Sequence, residues 1–115
     1  MNKRELGQFG EDKAAQYLKK KGYKIIERNF RYARGEIDII ASDGGYIVFI
    51  EVKLRRSFKY GLPESAVDTR KQNKIRKVAE YFLLGYESGK KIRFDVISIQ
   101  IEDGRGRLKH YKNAF

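Results

Sequence analysis

Residues 35–55 read GEIDIIASDGGYIVFIEVKLR and carry the strongest structural signal in the sequence. Two runs rich in β-branched and aromatic residues flank Asp43, Gly44 and Gly45, a combination typical of a β-hairpin with a tight turn. Within each run charged residues alternate with apolar ones, as expected of strands whose side chains point to opposite faces in turn. The stretch therefore predicts two antiparallel strands.

The length of the turn decides which residues of this hairpin face each other. A two-residue Gly-Gly loop places Asp38 opposite Glu51 and Glu36 opposite Lys53, with all four side chains on one face. A three-residue loop would shift the register and turn Asp38 to the other face relative to Glu51. The two-residue loop is the simpler register, and we expect it.

Two facing carboxylates predict a metal site. Opposed residues have Cβ atoms about 4.5–5.5 Å apart, so Asp38 and Glu51 would repel each other unless a cation lies between them. Mg²⁺ or Mn²⁺ suits one or two carboxylates together with waters and a substrate phosphate. Lys53 would place an ammonium beside the metal, where it can hold a phosphate, orient water or stabilise developing charge. The alternative is that these residues are ordinary solvent-face charges of an amphipathic hairpin.

The apolar residues of the hairpin favour a pocket over a plain solvated face. One face is expected to be fully apolar, and it comprises Ile37, Ile39, Val48, Ile50 and Val52. Ile40 and Phe49 add apolar bulk to the other face, which also carries the charges. A face with both large apolar residues and clustered charges is typical of a binding pocket.

The chain has no cysteine and a single histidine, His110, which limits the kinds of catalytic and metal site that it can form. Disulfides, thiolate catalysis and cysteine-based zinc sites are excluded. We expect His110, between Lys109 and Tyr111, to be a solvated residue at a strand end. Ser-His-Asp, Cys-His and two-histidine metal sites are then excluded as well, which leaves carboxylates, lysine and a hard metal ion for catalysis.

The remaining sequence predicts an α/β domain with the element order αβββαββ and a central mixed sheet flanked by helices. The other predicted elements are an amphipathic helix over 3–21 ended by Gly22, a strand over 23–29, a basic loop through Arg34, a helix from Pro63 to Gly89, and strands over 93–101 and 108–112. A length of 115 residues fits one domain, 1–115. Without a long apolar run or a secretory segment, we expect a cytoplasmic protein with no membrane partner.

The charge balance favours a nucleic-acid partner. Lys and Arg number 26 against 15 Asp and Glu, for a formal net charge of +11. Such a surplus attracts polyanions, although a basic surface can also serve solubility alone. Residues expected to track phosphates, without base-specific readout, are Arg28, Arg31, Arg34, Arg55, Arg56, Lys59, Arg70, Lys71, Lys74, Arg76 and Lys77. Tyr32, Phe58 and Tyr60 lie among them and could stack on unpaired bases, but packing is the favoured role of each.

Several ordered motifs resemble known families. The segments IDIIA and FIEVK resemble motifs II and III of the PD-(D/E)xK nuclease superfamily, and archaeal Holliday-junction resolvases in particular. A wider set resembles the YraN-type family of small, largely uncharacterised bacterial proteins. This set comprises GxxGExxAxxYLxxxGY, NFR, GEIDIIA, FIEVKLR, YGxPxxAV, KQxKI and RFDV. The residue before Asp38 is Ile37, where the superfamily name has proline.

The resemblance implies a restriction-endonuclease-like fold and roles for particular residues. Asp38 and Glu51 match the metal-binding acids, Lys53 the motif lysine, and the backbone carbonyl of Val52 an additional oxygen ligand. Glu11 matches an acid of the first helix that is often directed at the metal. Gln72 lies where some relatives place a helical glutamine, and we group it with the nucleic-acid-binding residues.

The implied function is that of an Mg²⁺- or Mn²⁺-dependent endonuclease acting on DNA, with branched or structured DNA favoured. The first alternative is a non-catalytic nucleic-acid-binding protein that retains the nuclease fold. The second is a basic protein that binds structured RNA or a ribonucleoprotein. The sequence leaves open whether the protein forms a homodimer.

Overall fold

The structure, a computed structural model, describes residues 1–55, 67–102 and 105–115. Its elements are α1 (Lys3–Lys20), β1 (Lys24–Tyr32), β2 (Gly35–Asp43), β3 (Tyr46–Arg55), α2 (Thr69–Leu84), β4 (Lys91–Glu102) and β5 (Arg105–Tyr111). Within these ranges the strands form one five-stranded sheet in the order β1-β2-β3-β4-β5. Only the β3–β4 pair is parallel. The predicted α/β class, element order and mixed sheet are confirmed.

Helix α1 covers one face of the sheet. Asn2 caps it by accepting a hydrogen bond from the backbone N–H of Glu5, whose side chain accepts one from the backbone N–H of Asn2. This reciprocal pair satisfies two N–H groups that a helix start leaves free. The helix buries its small and apolar residues against the inward side chains of β2, β3 and β4. These helix residues are Ala14, Ala15 and Leu18. Gly22, with φ of 92°, allows the chain to turn into β1.

Helix α2 covers the opposite face and lies in the crossover between the parallel strands β3 and β4. It buries Ile75, Val78, Ala79 and Phe82 in a cluster with residues of β2, β3 and β4. Within the described part of the chain, neither helix has the length and apolar character needed to cross a membrane.

Helix α2 is shorter than the predicted helix from Pro63 to Gly89. It begins where the Asp68 side chain accepts the N–H of Lys71 at 2.8 Å, and it is capped at its other end by Gly85. Tyr86 lies beyond the end of the helix, but its ring stacks on that of Phe82, four residues earlier, as neighbouring side chains on one helix face do. Pro63 lies outside the described residues.

The hairpin forms in the predicted register. Ladder pairs run from Asp43–Tyr46 to Ile39–Ile50, and Gly44 has the positive φ of 55° that a two-residue hairpin turn requires. Past Ile50, β3 continues to pair with β4 as far as Arg55, whereas β2 continues to pair with β1. The two strands therefore separate at the positions of Asp38 and Glu51.

Strand β1 extends to Tyr32, three residues beyond the predicted end at Asn29. The expected basic loop is therefore wrong: Arg28 and Arg31 lie on the strand, and only Ala33 and Arg34 form the turn. Strands β4 and β5 also begin earlier than predicted. These strands carry charged residues at their ends, because backbone pairing extends beyond the alternating apolar pattern.

The prediction that one hairpin face holds Ile37 together with Ile39 is also wrong. Ile39 packs beneath α1, but Ile37 packs in the cluster beneath α2. Strict alternation is broken between them, at Asp38. The position across from Asp38 is Asn29, whose left-handed φ of 54° interrupts the regular β1–β2 pairing.

His110 is buried, contrary to the expectation of a solvated histidine. Its side chain is 4% exposed, and its Nε2 lies 2.7 Å from Oδ2 of Asp95, which is fully buried. Arg93 also pairs with Asp95, at 2.9 Å. Burial raises the pKa of Asp95, but hydrogen bonds from His110 and Arg93 outweigh it and hold that pKa below its usual value. A buried polar network, in which Arg93 and His110 both contact Asp95, thus ties β4 to β5.

Candidate active site

Asp38 and Glu51 meet where β2 and β3 separate. The Asp38 carboxylate accepts the backbone N–H of Val52 at 2.8 Å, so its side chain takes the place of the next ladder bond. The Glu51 carboxylate lies close enough to Asp38 for its negative charge to raise the pKa of that acid. The Glu51 side chain is only 9% exposed. The two acids that the register predicted to face each other are therefore neighbours, with Glu51 buried and Asp38 partly buried.

This surrounding raises the pKa of Asp38 to about 8. Burial is the largest cause, the negative charge of Glu51 comes next, and the N–H of Val52 opposes both. A second negative charge beside a buried carboxylate disfavours ionisation. At neutral pH the pair therefore holds a proton on Asp38 unless a cation compensates its charge.

Two lysines lie against the carboxylate pair. Nζ of Lys71 is 3.2 Å from Oε1 of Glu51, and Nζ of Lys53 is 3.9 Å from the same atom. Burial and the nearby Lys71 lower the pKa of Lys53. Burial also acts to lower the pKa of Lys71, but the neighbouring Glu51 carboxylate favours the charged ammonium, and the pKa of Lys71 is raised. Of the two lysines beside Glu51, Lys71 therefore lies closer to the carboxylate and keeps its proton more firmly.

A cavity of about 500 Å³ opens at these residues. Its lining comes from β2, β3, the β1–β2 turn and the start of α2, and it comprises Arg34, Gly35, Glu36, Asp38, Glu51, Asp68, Arg70, Lys71, Lys74 and Ile75. Arg34, Arg70 and Lys74 are exposed, whereas Glu51 is buried. The cavity therefore has three cations and the Asp68 carboxylate at its rim and the Glu51 carboxylate inside, an arrangement that can accept a phosphate and a metal ion together.

Glu11 lies close enough for its charge to raise the pKa of Asp38. Its carboxylate is already bonded, to Nε of Arg28 at 2.9 Å and to the amide of Asn29 at 2.8 Å. The same amide donates to Glu36 at 2.9 Å. Among residues 1–55, 67–102 and 105–115, no group of three or more His, Cys, Asp or Glu side chains is arranged to hold a metal ion. Of the four acids that line this cavity, Glu36 pairs with Arg31 and Asp68 caps α2, so Asp38 and Glu51 are the pair best placed to ligate a metal ion.

Val52 was expected to contribute its backbone carbonyl. Its N–H donates to Asp38. The N–H and C=O of one strand residue point to the same edge of that strand. We therefore expect the Val52 carbonyl to face the opening between β2 and β3.

The predicted nucleic-acid-binding residues fall into two groups. Four of them line the cavity, namely Arg34, Arg70, Lys71 and Lys74, and Lys77 lines an adjoining recess. The rest lie elsewhere: Arg28 bonds Glu11 and Asp12, Arg31 pairs with Glu36 at 3.4 Å, and Arg55 lies at the end of β3. Arg56, Lys59, Phe58 and Tyr60 lie outside the described residues.

Gln72 has a structural contact instead of a place in the cavity lining. Its amide donates to the backbone carbonyl of Val67 at 2.8 Å, which holds the approach to α2.

Asn29 is the site residue that sequence reasoning missed. It lies across the strand pair from Asp38, its backbone is left-handed, and its amide holds two acids. Asparagine tolerates this conformation better than most residues. Asn29 begins the NFR motif, and that motif was the one sequence feature that pointed to it. Nothing in the local pattern indicated a left-handed residue inside a strand.

Comparison with other proteins agrees with the motifs. Residues 10–99 match the family described as uncharacterised protein family UPF0102. The UPF0102 protein of Syntrophomonas wolfei is 50% identical over 113 residues, which cover 97% of this chain and 98% of that protein. That of Caldicellulosiruptor saccharolyticus is 52% identical over 118 residues, with 100% of both chains covered. That of Persephonella marina is 50% identical and covers 95% of this chain and 91% of its own. The YraN-type resemblance is thereby confirmed, and the chain belongs to the UPF0102 family.

Proposed function

We propose that this protein is a metal-dependent endonuclease that hydrolyses phosphodiester bonds in DNA, with branched or otherwise structured DNA as its substrate class. In this proposal the sheet and its two helices are a restriction-endonuclease-like fold of the PD-(D/E)xK type, similar to that of archaeal Holliday-junction resolvases. Asp38, Glu51 and Lys53 are its catalytic residues.

The observation that carries the proposal is that Asp38 and Glu51 lie side by side in one cavity, close enough for the charge of Glu51 to act on Asp38. Folding alone gains nothing from two carboxylates buried against each other, because each disfavours the charge of the other. The cost is visible in the pKa of Asp38, which is raised to about 8. Perturbed acids in a cleft are typical of functional sites.

The donor set fits a hard divalent cation. Asp38, Glu51 and the Val52 carbonyl would supply oxygen ligands, which Mg²⁺ and Mn²⁺ prefer. The ammonium of Lys71, 3.2 Å from Glu51, shows that a cation is already favoured beside this carboxylate. When bound, the metal would supply a water of lowered pKa and neutralise charge on the phosphate.

The protein's own cations have distinct tasks in this proposal. Lys53 Nζ lies beside Glu51, where it would hold a non-bridging phosphate oxygen and stabilise the charge that develops there. Arg34, Arg70 and Lys74 are exposed at the rim and would hold flanking phosphates without reading sequence. Glu11 would keep Arg28 oriented beside the site, because it bonds that guanidinium.

The test is a cleavage assay on linear, flapped and four-way DNA with Mg²⁺, Mn²⁺ or EDTA. We expect the wild type to cut one of the structured DNAs with either metal, and Asp38→Asn, Glu51→Gln and Lys53→Ala to lose cleavage while retaining most of their DNA binding. Glu87→Gln and Lys90→Ala are matched controls, because both residues are exposed and distant in the chain from the site. Undiminished cutting by Asp38→Asn would refute the site assignment.

A second candidate function is nucleic-acid binding without catalysis. The Lys71–Glu51 ion pair favours it, because a protein ammonium there can satisfy the carboxylate permanently. A wild type that binds structured DNA tightly but cuts none of it with either metal would support this second function.

A further inference from the structure

An aromatic ladder leads from the core to the surface beside the proposed active site. Phe30 packs edge-to-face on the buried Phe82, and Tyr81 of α2 stacks on Phe30 with ring centroids 6.2 Å apart. Tyr32 then stacks on Tyr81 at 3.8 Å, with 13° between the ring planes. Phe30 and Tyr32 point the same way because they are two residues apart on β1.

The outer rungs of this ladder are exposed. Tyr32 is 42% exposed and Tyr81 is 46% exposed, although each is a large aromatic side chain. Stacking between the two tyrosines and on Phe30 holds the rings in fixed orientations. A pre-oriented and exposed aromatic surface is what a stacking ligand requires.

Tyr32 has a cationic recess on the side of the active site. That recess, of about 340 Å³, is lined by Tyr32 together with Arg34, Gly35, Lys74 and Lys77, whereas Glu80 lines a second recess with Tyr32 and Tyr81. The charged residues that line the first recess are all basic, within the described part of the chain. A ligand with a flat apolar ring and an adjoining negative charge matches this combination, and a nucleotide has both.

The recess and the active-site cavity share Arg34, Gly35 and Lys74. A Cβ atom on Gly35 would lie 2.5 Å from a methyl group of Val78, so β2 approaches α2 closely at this point. The shared residues make the recess and the cavity neighbours. A phosphate held by Arg34 and Lys74 could therefore belong to the same strand as a base at Tyr32.

We propose that Tyr32, supported by Tyr81, stacks on an unpaired base of the DNA whose backbone enters the cavity. This inference rests on the proposed function and names its substrate class: DNA with an unpaired base near the scissile phosphate, as at a gap, a flap or an open junction. Continuous duplex keeps its bases stacked on each other and offers none to Tyr32.

The test measures binding in EDTA, where metal-dependent cleavage does not occur. A duplex and the same duplex with a short single-stranded gap are titrated by fluorescence anisotropy. A second gapped DNA carries 2-aminopurine as an unpaired base, whose fluorescence falls on stacking. The variants are Tyr32→Leu, which removes the ring, and Tyr32→Phe, which keeps it. Tyr46→Leu is the matched control. Tyr46 is 36% exposed and pairs with Asp43 at one end of β2, whereas Tyr32 pairs with Gly35 at the other end.

We expect Tyr32→Leu to bind gapped DNA about 5- to 100-fold more weakly, the range that removal of one base–aromatic stack produces, and to bind duplex as the wild type does. Tyr32→Phe and Tyr46→Leu should bind both DNAs normally, and quenching of 2-aminopurine should disappear in Tyr32→Leu alone. Thermal unfolding of each variant shows whether it is folded at the assay temperature. Should Tyr32→Leu be unfolded there, normal gapped-DNA affinity and quenching in Tyr32→Phe, with loss of both in the uncharged, ring-free Tyr32→Gln, are the expected results.

Equal affinities of wild type and Tyr32→Leu for gapped DNA would overturn the proposal. So would a dimer of the free wild type that dissociates in Tyr32→Leu, because the ladder would then bind a second copy of the chain. Tyr32-dependent binding of gapped DNA by a wild type that cuts no DNA would support base stacking and refute hydrolysis. Cleavage by Tyr32→Leu at the wild-type rate, with unchanged affinity for gapped DNA, would support hydrolysis and refute base stacking.

Discussion

Replacing Asp38 with asparagine is expected to stabilise the metal-free protein, and more so as the pH rises. Burial and the charge of Glu51 raise the pKa of Asp38 from 3.8 to about 8. Between these values the folded protein holds a proton that the unfolded chain has released. The stability that this group contributes is therefore fully present below pH 3.8 and is lost as the pH rises to about 8. Asparagine is neutral throughout and avoids the loss.

The size of the effect follows from the shift. One pKa unit corresponds to about 1.4 kcal/mol, so a shift of roughly four units sets a ceiling of about 6 kcal/mol above pH 8. Part of this is offset in the variant, because the charge of Asp38 also favours the protonated forms of Lys53 and Lys71. We expect a net gain of about 2–3 kcal/mol at about pH 8.5, or roughly 10 °C in Tm.

The assay is thermal unfolding in EDTA from about pH 5 to pH 9, with wild type, Asp38→Asn and the exposed-site control Glu87→Gln. The difference in stability between Asp38→Asn and wild type should grow by at most about 1.4 kcal/mol per pH unit and level off above about pH 8. Glu87→Gln should follow the wild type. A destabilised Asp38→Asn, or a difference that stays constant with pH, would show that the carboxylate pair is a structural contact.

Three further predictions concern metal, DNA and the buried network. Mg²⁺ or Mn²⁺ should raise the Tm of the wild type through linkage and leave that of Asp38→Asn unchanged in the same scans; equal shifts in both would place the metal elsewhere. Arg70→Glu and Lys74→Glu should weaken binding to all DNA sequences alike and reduce the salt slope by about one for each phosphate that is no longer neutralised, whereas a sequence-selective effect in anisotropy titrations would indicate base recognition. Asp95→Asn should lower the free energy of unfolding by up to about 3–5 kcal/mol, because the buried Arg93 then keeps only the partly exposed Asp43 as a counter-charge, and an unchanged denaturation midpoint would refute this.

The hairpin and its acids could be predicted because the information is local. A Gly-Gly turn with a positive φ at Gly44 sets a two-residue loop, and period-two alternation then brings Asp38 to Glu51. The separation of β2 from β3 could not be predicted in this way. It depends on β3 continuing along β4, a strand about 45 residues later in the chain.

The errors have the same origin. His110 was expected in solvent because its sequence neighbours are polar, but Asp95 and Tyr17 approach it from β4 and α1. Ile37 was placed on the wrong face because the left-handed Asn29 belongs to the neighbouring strand. The pairing of Lys71 with Glu51, which the sequence did not indicate, likewise depends on how α2 lies over the sheet. Each of these contacts joins elements distant in sequence, so local periodicity carries no signal for it.

The most direct test of the proposed chemistry is the single-turnover rate at which purified protein cuts a four-way DNA junction in Mn²⁺. Wild type, Asp38→Asn and Glu87→Gln are compared after identical purification, with EDTA added to parallel samples. We predict cutting by wild type and Glu87→Gln that EDTA abolishes, and a rate at least about 100-fold lower for Asp38→Asn, as expected when a group acts in the transition state. Equal rates for wild type and Asp38→Asn would contradict the assignment of hydrolysis to the Asp38–Glu51 pair.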